Sequence, residues 1–333
     1  MKDTLLRVIN ELKKKFGDDI ILTGKELSGL KIDRISTGSI WLDFIMEGGL
    51  PRGRIVEIYG VYSAGKSLIA QRTVAQAQKQ GLDCVWIDAE GCFDPKFAVK
   101  LGVDTDKLTV VKISEAEKAF DIVAKFLEAK PAIIVIDSVA SLVPFFEIEN
   151  ETDQNTMALQ ARIMSKGLRK ITGQVGKANT LVIFINQIRE KIGGYGPSET
   201  VSGGRALGFY SSIRIEVRRG EWITLKDIGQ GETLDEKKRK VGQVIKFNVT
   251  KSKVSKPHQI GSFRFFFNGI IDEADEIIAL LEYTKKIERK GAYYIIGKDK
   301  YQGRINFRKE IRKNKELKEK LIKILREKED EKD

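Results

Sequence analysis

The sequence predicts an α/β fold, with a mostly parallel central sheet flanked by helices. Between residues 32 and 254, short apolar runs alternate with helical patterns, as in the crossover units that join parallel strands. Several runs are apolar on both faces, as expected of strands that helices cover on either side. The predicted strands are 54–59, 84–88, 108–111, 132–137, 180–186, 212–217 and 243–249.

Two smaller domains are predicted outside this core. Residues 1–16 carry apolar side chains at amphipathic helix spacing, so 1–32 is predicted to be an N-terminal oligomerisation helix and strand. The core then spans 33–260, and 261–333 forms a small C-terminal α/β domain. Within and beside these domains we expect a strand at 20–22, a strand at 263–267, a helix at 274–290, a strand at 292–296 and a charged helix from residue 308.

Composition favours a globular protein of the reducing cytoplasm, without a membrane partner. The chain has 333 residues, of which 41% are hydrophobic and 32% charged. No apolar run approaches the roughly 18 residues of a membrane span. Cys84 and Cys92 are too few to argue a disulfide framework. With only one histidine, His258, a histidine-rich metal site or a histidine-dependent nucleophile triad is disfavoured.

The charge balance points to polyanions. The 59 Lys and Arg residues exceed the 47 Asp and Glu residues, which gives a net charge of +12. Such an excess favours nucleic acid or anionic membrane as a partner, although thermophile proteins with Lys/Glu-rich surfaces also lean basic. Residues 237–256 hold eight Lys and Arg and no acid, and part of this block is expected to face phosphates.

Residues 60–67, GVYSAGKS, fit the phosphate-loop pattern G-x-x-x-x-G-K-[ST] between a strand and a helix. The glycines let successive backbone N–H groups point at an anion, and the helix N-terminus adds its dipole. Lys66 would reach the β- and γ-phosphates, and Ser67 would place its hydroxyl on Mg²⁺. The predicted nucleotide contacts are Gly60, Ser63, Ala64, Gly65, Lys66, Ser67 and Leu68.

Two further strand ends deliver acids to the same edge of the sheet. Asp137 ends the strand 132–137, where it would hold Mg²⁺ through water. Glu90 follows the strand 84–88, and a carboxylate there can orient the attacking water. On spacing alone, Glu90 could equally be a helix N-terminal acid. Together these residues predict a Mg²⁺-dependent enzyme that hydrolyses a nucleoside triphosphate.

The chain resembles the RecA recombinases over nearly its full length. The phosphate loop is shared by many ATPase families, but the ordered set of segments is specific, above all INQIR followed by a glycine-rich loop. For the ATP site, the resemblance implies that Glu90 activates water, Gln187 couples nucleotide state to DNA, and Asp94 and Phe97 bracket the adenine. It also implies that Lys251 and Lys253 reach the neighbouring subunit's γ-phosphate. The matching segments are 34–43, 48–60, 87–95, 135–144, 159–170, 179–193, 202–210 and 249–257.

The same resemblance implies two DNA-binding loops, at about 149–157 and 190–202. Arg162 and Arg169 follow the first loop seven residues apart, so they lie on one helical face. The second loop is rich in glycine, and Tyr195 within it could stack on bases. The expected DNA-binding residues are Arg162, Arg169, Arg189, Lys191, Tyr195, Gly203, Gly204 and Arg205.

The function implied is a DNA-dependent ATPase that forms helical filaments on single-stranded DNA, pairs it with homologous duplex and exchanges strands. ATP and Mg²⁺ are the expected cofactors, and a self-cleaving repressor is a further partner that the family suggests. Two alternatives stay open. One is a ring-forming helicase of the same ATPase group; the other is a regulatory scaffold in which hydrolysis only resets the filament.

The sequence departs from the family pattern at several positions. Phe97 replaces the usual tyrosine, Gly91 stands where histidine is common, and Arg205 and Gly208 replace Asn and Lys. The last residues interleave acids with Lys and Arg where relatives have an acidic tail, so weaker self-restraint on DNA access is expected.

Overall fold

A computed structural model describes residues 2–17, 21, 24, 32–149, 156–190 and 199–327. The chain divides into two units, 1–33 and 34–333. Within the first unit, helix α1 (Lys2–Phe16) ends where Gly17 adopts a φ of +101°. Most of the strand predicted at 20–22 lies outside the described residues. The helix exposes an apolar set formed by Leu5, Leu6, Val8, Leu12 and Phe16.

The second unit is built around a mixed sheet in the order β11-β10-β9-β3-β7-β6-β4-β5. The strands from β9 to β5 run parallel, whereas β10 and β11 are antiparallel additions. A strand occupies each of the seven predicted positions. The strands are β1 (Arg34–Ile35), β2 (Leu50–Pro51), β3 (Ile55–Gly60), β4 (Cys84–Asp88), β5 (Leu108–Lys112), β6 (Ile133–Asp137), β7 (Leu181–Glu190), β8 (Glu199–Val201), β9 (Ile213–Thr224), β10 (Lys240–Ser252), β11 (Gln259–Phe266), β12 (Glu288–Lys290), β13 (Tyr293–Ile296) and β14 (Asp299–Gln302).

Helices cover both faces of this sheet, which confirms the predicted α/β class. The parallel strands are apolar on both sides, so each face carries its own hydrophobic core. The described helices of this unit are α2 (Ile40–Ile45), α3 (Lys66–Gln78), α4 (Pro95–Lys100), α5 (Ala116–Ala129), α6 (Phe145–Glu149), α7 (Thr156–Ala178), α8 (Ala206–Tyr210), α9 (Leu234–Lys238), α10 (Glu273–Tyr283), α11 (Arg304–Lys313) and α12 (Lys315–Arg326). No described helix is both long enough and apolar enough to cross a membrane.

Two predictions for the C-terminal region are wrong in detail. The helix predicted at 274–290 ends at Tyr283, because Lys285 turns the backbone to a φ of +56°, and 288–290 forms β12 instead. The single charged helix predicted from residue 308 is two helices, α11 and α12. Asn314 separates them: its side chain accepts a hydrogen bond from the Leu317 backbone N–H, which starts a new helix.

A third hydrophobic cluster joins α10, α11, α12 and β13. The buried carboxyl of Glu276 connects it to the core, since it accepts hydrogen bonds from the Ile40 and Trp41 backbone at 3.2 and 3.1 Å. The domain boundary predicted near residue 261 falls inside β11, which pairs with β10 from Gln259 to Phe266. The division at this position stays a prediction.

Candidate functional site

The phosphate loop runs from the end of β3 into α3, and its backbone shape depends on glycine. A side chain at Gly60 would place its Cβ 2.0 Å from the Val217 carbonyl oxygen. Gly65 has a φ of +100°, and its Cβ would lie 2.9 Å from the Ile245 side chain. The close approach of β9 and β10 therefore permits only glycine at these two positions.

Lys66 is the best-buried cation of this edge, with only 7% of the residue exposed. Its ammonium donates to the Gly60 and Val61 carbonyl oxygens at 3.2 and 2.8 Å. Burial lowers the pKa of Lys66, and the nearby Asp137 and Glu90 carboxylates oppose that shift. An anion seated on the loop would stabilise this charge further.

Asp137 and Ser67 meet directly at the end of β6. The Ser67 hydroxyl donates to the Asp137 carboxylate at 2.8 Å. The pKa of Asp137 is raised to about 6, chiefly by burial and also by the Glu90 and Asp88 carboxylates, against the opposing effect of Ser67 and Lys66. A hydroxyl and one carboxylate are hard oxygen donors, and together with phosphate oxygens they suit Mg²⁺. The residues present therefore fit the predicted metal.

Glu90 is exposed and is held beside Asp137 by its own backbone. The N–H groups of Ala89 and Glu90 donate to the Asp137 carbonyl at 2.7 and 3.1 Å. The buried Asp88 carboxylate closes the loop by accepting from the Cys92 and Phe93 backbone N–H groups at 3.1 and 3.2 Å. We call Lys66, Ser67, Glu90 and Asp137 the phosphate-loop surface.

Gln187 lies on the strand next to the loop, in register with Gly60. Its carbonyl accepts from the Ser202 backbone N–H at 3.3 Å, and its own N–H donates to the Asn186 side chain at 2.9 Å. The residue thus connects the phosphate loop to the chain segment at 199–205 through the backbone.

A buried polar network beneath this strand was not predicted from the sequence. Glu57 is fully buried in β3; one oxygen accepts from the Asn186 amide at 2.9 Å and the other pairs with Arg214 at 2.5 Å. The Arg214 guanidinium also covers the Tyr59 ring at 4.5 Å. The sequence carried only half of this signal: Glu57 is the single charge of the apolar strand β3, whereas Arg214 is one of five charged residues in β9.

Lys251 and Lys253, which we call the lysine pair, lie away from the chain's own phosphate loop. Lys251 on β10 pairs with Arg214 on β9, and Arg214 pairs with Glu57 on β3. Glu57 precedes Gly60, the first residue of the phosphate loop, by three positions. That offset is roughly 10 Å along the strands, and Lys253 lies farther still at the level of Ser212. Lys251 donates to the Gly208 and Phe209 carbonyls at 2.7 and 3.1 Å. Burial, Lys253 and Arg214 lower the pKa of Lys251.

The residues predicted to bracket adenine lie on α4. Asp94 caps that helix, since its carboxylate accepts from the Lys96 and Phe97 backbone at 2.8 and 3.2 Å. Phe97 packs edge-on against Phe265 at 6.4 Å. Leu68, on α3, is buried in the same core. The structure gives Asp94 a capping role whether or not it also binds a base.

Residues that follow the two predicted DNA loops come together on α7, whereas 150–155 of the first loop and 191–198 of the second lie outside the described residues. Arg162 and Arg169 are both exposed on this helix. Gly204 packs so closely on Ala161, the residue before Arg162, that its Cβ would lie 3.0 Å from the alanine Cβ. Arg205 is exposed at the start of α8. Arg189 on β7 is in register with Thr200 on β8. Gly203 is buried against Val139 and Met164. Lys191 and Tyr195 lie outside the described residues.

Comparison with known proteins assigns the chain to a family. The sequence profile of the RecA N-terminal domain matches residues 3–272. Protein RecA of Rippkaea orientalis is 40% identical over 324 residues, covering 96% of this chain and 90% of the relative. Protein RecA of Nostoc punctiforme is 39% identical over 327 residues, or 97% and 88% of the two chains, and that of Arthrospira platensis is 42% identical over 289 residues, or 86% and 76%. The chain therefore belongs to the RecA family of recombinases.

Proposed function

We propose that this recombinase is a Mg²⁺-dependent ATPase whose turnover depends on DNA and on contact between subunits. The observation that carries the proposal is the convergence of Lys66, Ser67, Glu90 and Asp137 on one edge of the sheet. A bound Mg²⁺ would supply charge neutralisation to the phosphates. The chain's own groups bind, orient and polarise the reactants.

Each residue of the phosphate-loop surface has a separable role. The loop amides and Lys66 bind the β- and γ-phosphates, and Ser67 with Asp137 holds the metal. Glu90 is exposed and free to orient the attacking water, because Asp88 and the Asp137 carbonyl fix its backbone. Gln187 would couple the presence of the γ-phosphate to the conformation of residues 199–205, because its carbonyl accepts a hydrogen bond from the Ser202 backbone N–H.

The lysine pair completes the site from a second subunit. Burial, Lys253 and Arg214 lower the pKa of Lys251 against the effect of the Glu57 carboxylate, so an incoming phosphate would stabilise its charge. Because the pair is about 10 Å or more from the level of its own loop, we assign it to the neighbour's γ-phosphate. Cations supplied in trans tie hydrolysis to assembly.

Assembly would use the N-terminal helix. Its exposed apolar residues, such as Leu5 at 63% and Phe16 at 53%, need a partner surface. A head-to-tail contact of this kind generates an open helical polymer unless the rotation closes. The ring-forming helicase is not favoured, since the curated relatives that match nearly the whole chain are RecA proteins.

DNA would bind along α7 and the segment after β8. Arg162, Arg169 and Arg205 are exposed cations of this region, suited to phosphate contacts that do not read sequence. Base pairing between the bound strand and duplex would then test homology. The function is therefore polymerisation on single-stranded DNA, pairing with homologous duplex and strand exchange.

ATP turnover, measured with and without single-stranded DNA over a salt series, tests this proposal. We expect strong stimulation that falls steeply with salt, because several phosphates are neutralised per subunit. Arg162→Ala/Arg169→Ala should reduce the salt slope, while Lys79→Ala, an exposed lysine at the end of α3, should not. DNA-independent turnover would contradict the proposal.

A further inference from the structure

A cleft of about 930 Å³ lies between the β9–β10 hairpin tip, the turn after β11 and helices α11 and α12. Arg308 on α11 connects the helical wall of the cleft to the hairpin tip, since its guanidinium donates to the Asp227 carbonyl at 3.0 Å. We call this space the hairpin cleft. The cleft is thus preformed in the free chain. Among the described residues, no side chain assigned individually above to nucleotide or DNA lines it, although Arg239 and Lys240 belong to the basic block 237–256.

The floor of the hairpin cleft is apolar and open to solvent. Ile228, Val241 and Phe266 line it, and Phe267 and Ile270 are 46% and 56% exposed. Single exposed apolar residues are ordinary, but several that line one concave surface indicate a binding site.

The rim of the cleft is positively charged. Its two acids are already neutralised: Asp272 pairs with Arg312 at 2.7 Å, and Glu273 pairs with Lys318. Arg239, Lys240 and Lys309 also line the rim, and within the described residues none of these three has a carboxylate at ion-pair distance. Three cations without a described salt bridge therefore surround the apolar floor, and Lys240 among them also lies over the Trp222 ring at 4.4 Å.

We propose that the hairpin cleft binds an acidic amphipathic helix of a partner protein. The apolar floor would take one face of such a helix, and the rim cations would pair with acids beside it. A helix about 10 Å wide occupies roughly 420 Å³ per turn, so the cleft accommodates about two turns. Duplex DNA is the weaker fit, because its outer surface is phosphate and sugar and gives an apolar floor nothing to bury.

The test is fluorescence anisotropy with a labelled synthetic peptide of about 12 residues, leucine at helical i, i+3, i+4, i+7 spacing and glutamate elsewhere. A matched peptide with lysine in place of glutamate is the control ligand. We expect the full-length protein to bind the acidic peptide at least about tenfold more tightly than the lysine peptide.

Protein variants locate the binding. Lys240→Glu/Lys309→Glu should weaken acidic-peptide binding at least about tenfold, and Lys309→Glu alone about threefold. Lys298→Glu/Lys300→Glu, an equal charge reversal on exposed residues near and within β14, should change binding less than about twofold. DNA-stimulated ATP turnover of the rim variant should persist, which separates this site from the ATPase proposal.

Three results would overturn the assignment. The first is equal binding of the acidic and lysine peptides. The second is a rim variant that binds the peptide as tightly as the control variant. The third is a rim variant that loses duplex DNA binding or self-association while no peptide binds, which would make the cleft a nucleic-acid or subunit contact.

Discussion

In the proposed function, the phosphate-loop surface and the lysine pair are two parts of one ATP site, and within a chain they lie at different levels of the same sheet. The first lies at the carboxyl ends of β3, β4 and β6 and combines one buried ammonium with two carboxyls. The second lies at the end of β10: Lys251 is level with the middle of β3, and Lys253, just past the strand, is level with its start. Lys251 is near Lys253 and Arg214 as well as the Glu57 carboxylate.

In the proposed mechanism, this difference explains how a single chain would carry an incomplete site that hydrolyses little ATP until subunits meet. In the proposed mechanism the phosphate-loop surface binds nucleotide and metal, and its described cation, Lys66, already donates to the Gly60 and Val61 carbonyls. Further cations from a second subunit would then stabilise the charge that develops at the γ-phosphate. The lysine pair supplies two cations, of which Lys251 donates to the Gly208 and Phe209 carbonyls and interacts with the buried Glu57 carboxylate. In the proposed assembly, the lysine pair of one subunit would stabilise the phosphate charge bound to the other subunit's loop, and that phosphate would stabilise the lysine charges.

The largest expected effect comes from removing the buried ammonium. Lys66→Ala should weaken ATP binding and reduce turnover by about 10⁴, because ground-state and transition-state contacts are both lost. Lys79→Ala, on the same helix but exposed, should leave both within about twofold of the unchanged protein. Titration with a fluorescent ATP analogue and a phosphate-release assay measure the two quantities. Retained turnover in Lys66→Ala would show that the phosphate-loop surface does not need its buried ammonium, which would contradict the role proposed for it.

The lysine pair should separate binding from turnover. Lys251→Ala/Lys253→Ala is expected to reduce DNA-stimulated turnover by about 10³ but to leave ATP binding by the free chain unchanged. Lys298→Ala/Lys300→Ala, a distant exposed pair, is the matched control. If the lysine variant lost ATP binding in the absence of DNA, the pair would belong to its own chain's site.

The network between the two halves should matter for stability. Arg214→Met leaves the Glu57 carboxylate buried without its ion-pair partner, which should lower the free energy of unfolding by about 3 to 5 kcal/mol. Breaking the exposed pair Lys246–Glu221 by Glu221→Gln should cost less than about 1 kcal/mol. Urea denaturation of both variants measures the difference. Equal losses would show that Glu57 is solvated.

The smallest effect is a gain of stability at the phosphate-loop surface. Folding raises the pKa of Asp137 from its ordinary 3.8 to about 6, so the folded chain holds this proton more tightly than the unfolded chain. Metal-free stability therefore declines as pH rises from about 4 to 6 and stays lower above that range. Asp137→Asn removes this penalty and should gain about 1 to 3 kcal/mol at pH 8 but little at pH 4, in chelator.

A matched pH series on Glu90→Gln controls for general charge effects. Glu90 is exposed, so its substitution should change the pH dependence of unfolding much less. A wild-type stability that is flat between pH 4 and 7 would contradict the burial of the Asp137 charge.

The sheet was predictable because its residues obey strong local rules. Runs such as 132–137 are apolar on both faces, and GVYSAGKS dictates a strand, a loop and a helix in that order. The C-terminal elements were less predictable, because the break at Lys285 depends on one backbone angle that lysine rarely adopts.

The sequence motifs select the residues of the candidate site, but they do not determine how those residues are arranged. The spacing of Lys66 and Ser67 in one motif fixes their proximity, whereas the meeting of Ser67 with Asp137 depends on the strand order β3-β7-β6. The Glu57–Arg214 pair joins residues 157 positions apart, and no local pattern selects such a partner. The level of the lysine pair likewise follows from register, including a bulge between Val249 and Lys251.

Mixing two inactive variants tests the central claim most directly. In Lys66→Ala the lysine pair is intact, and in Lys251→Ala/Lys253→Ala the phosphate-loop surface is intact, so about a quarter of the contacts in a random equimolar polymer would be complete. We predict that neither variant alone hydrolyses ATP appreciably with single-stranded DNA and Mg²⁺, whereas the mixture recovers about a quarter of the normal rate. A mixture as inactive as its components, in polymers shown by light scattering to contain both variants, would contradict a site shared between subunits.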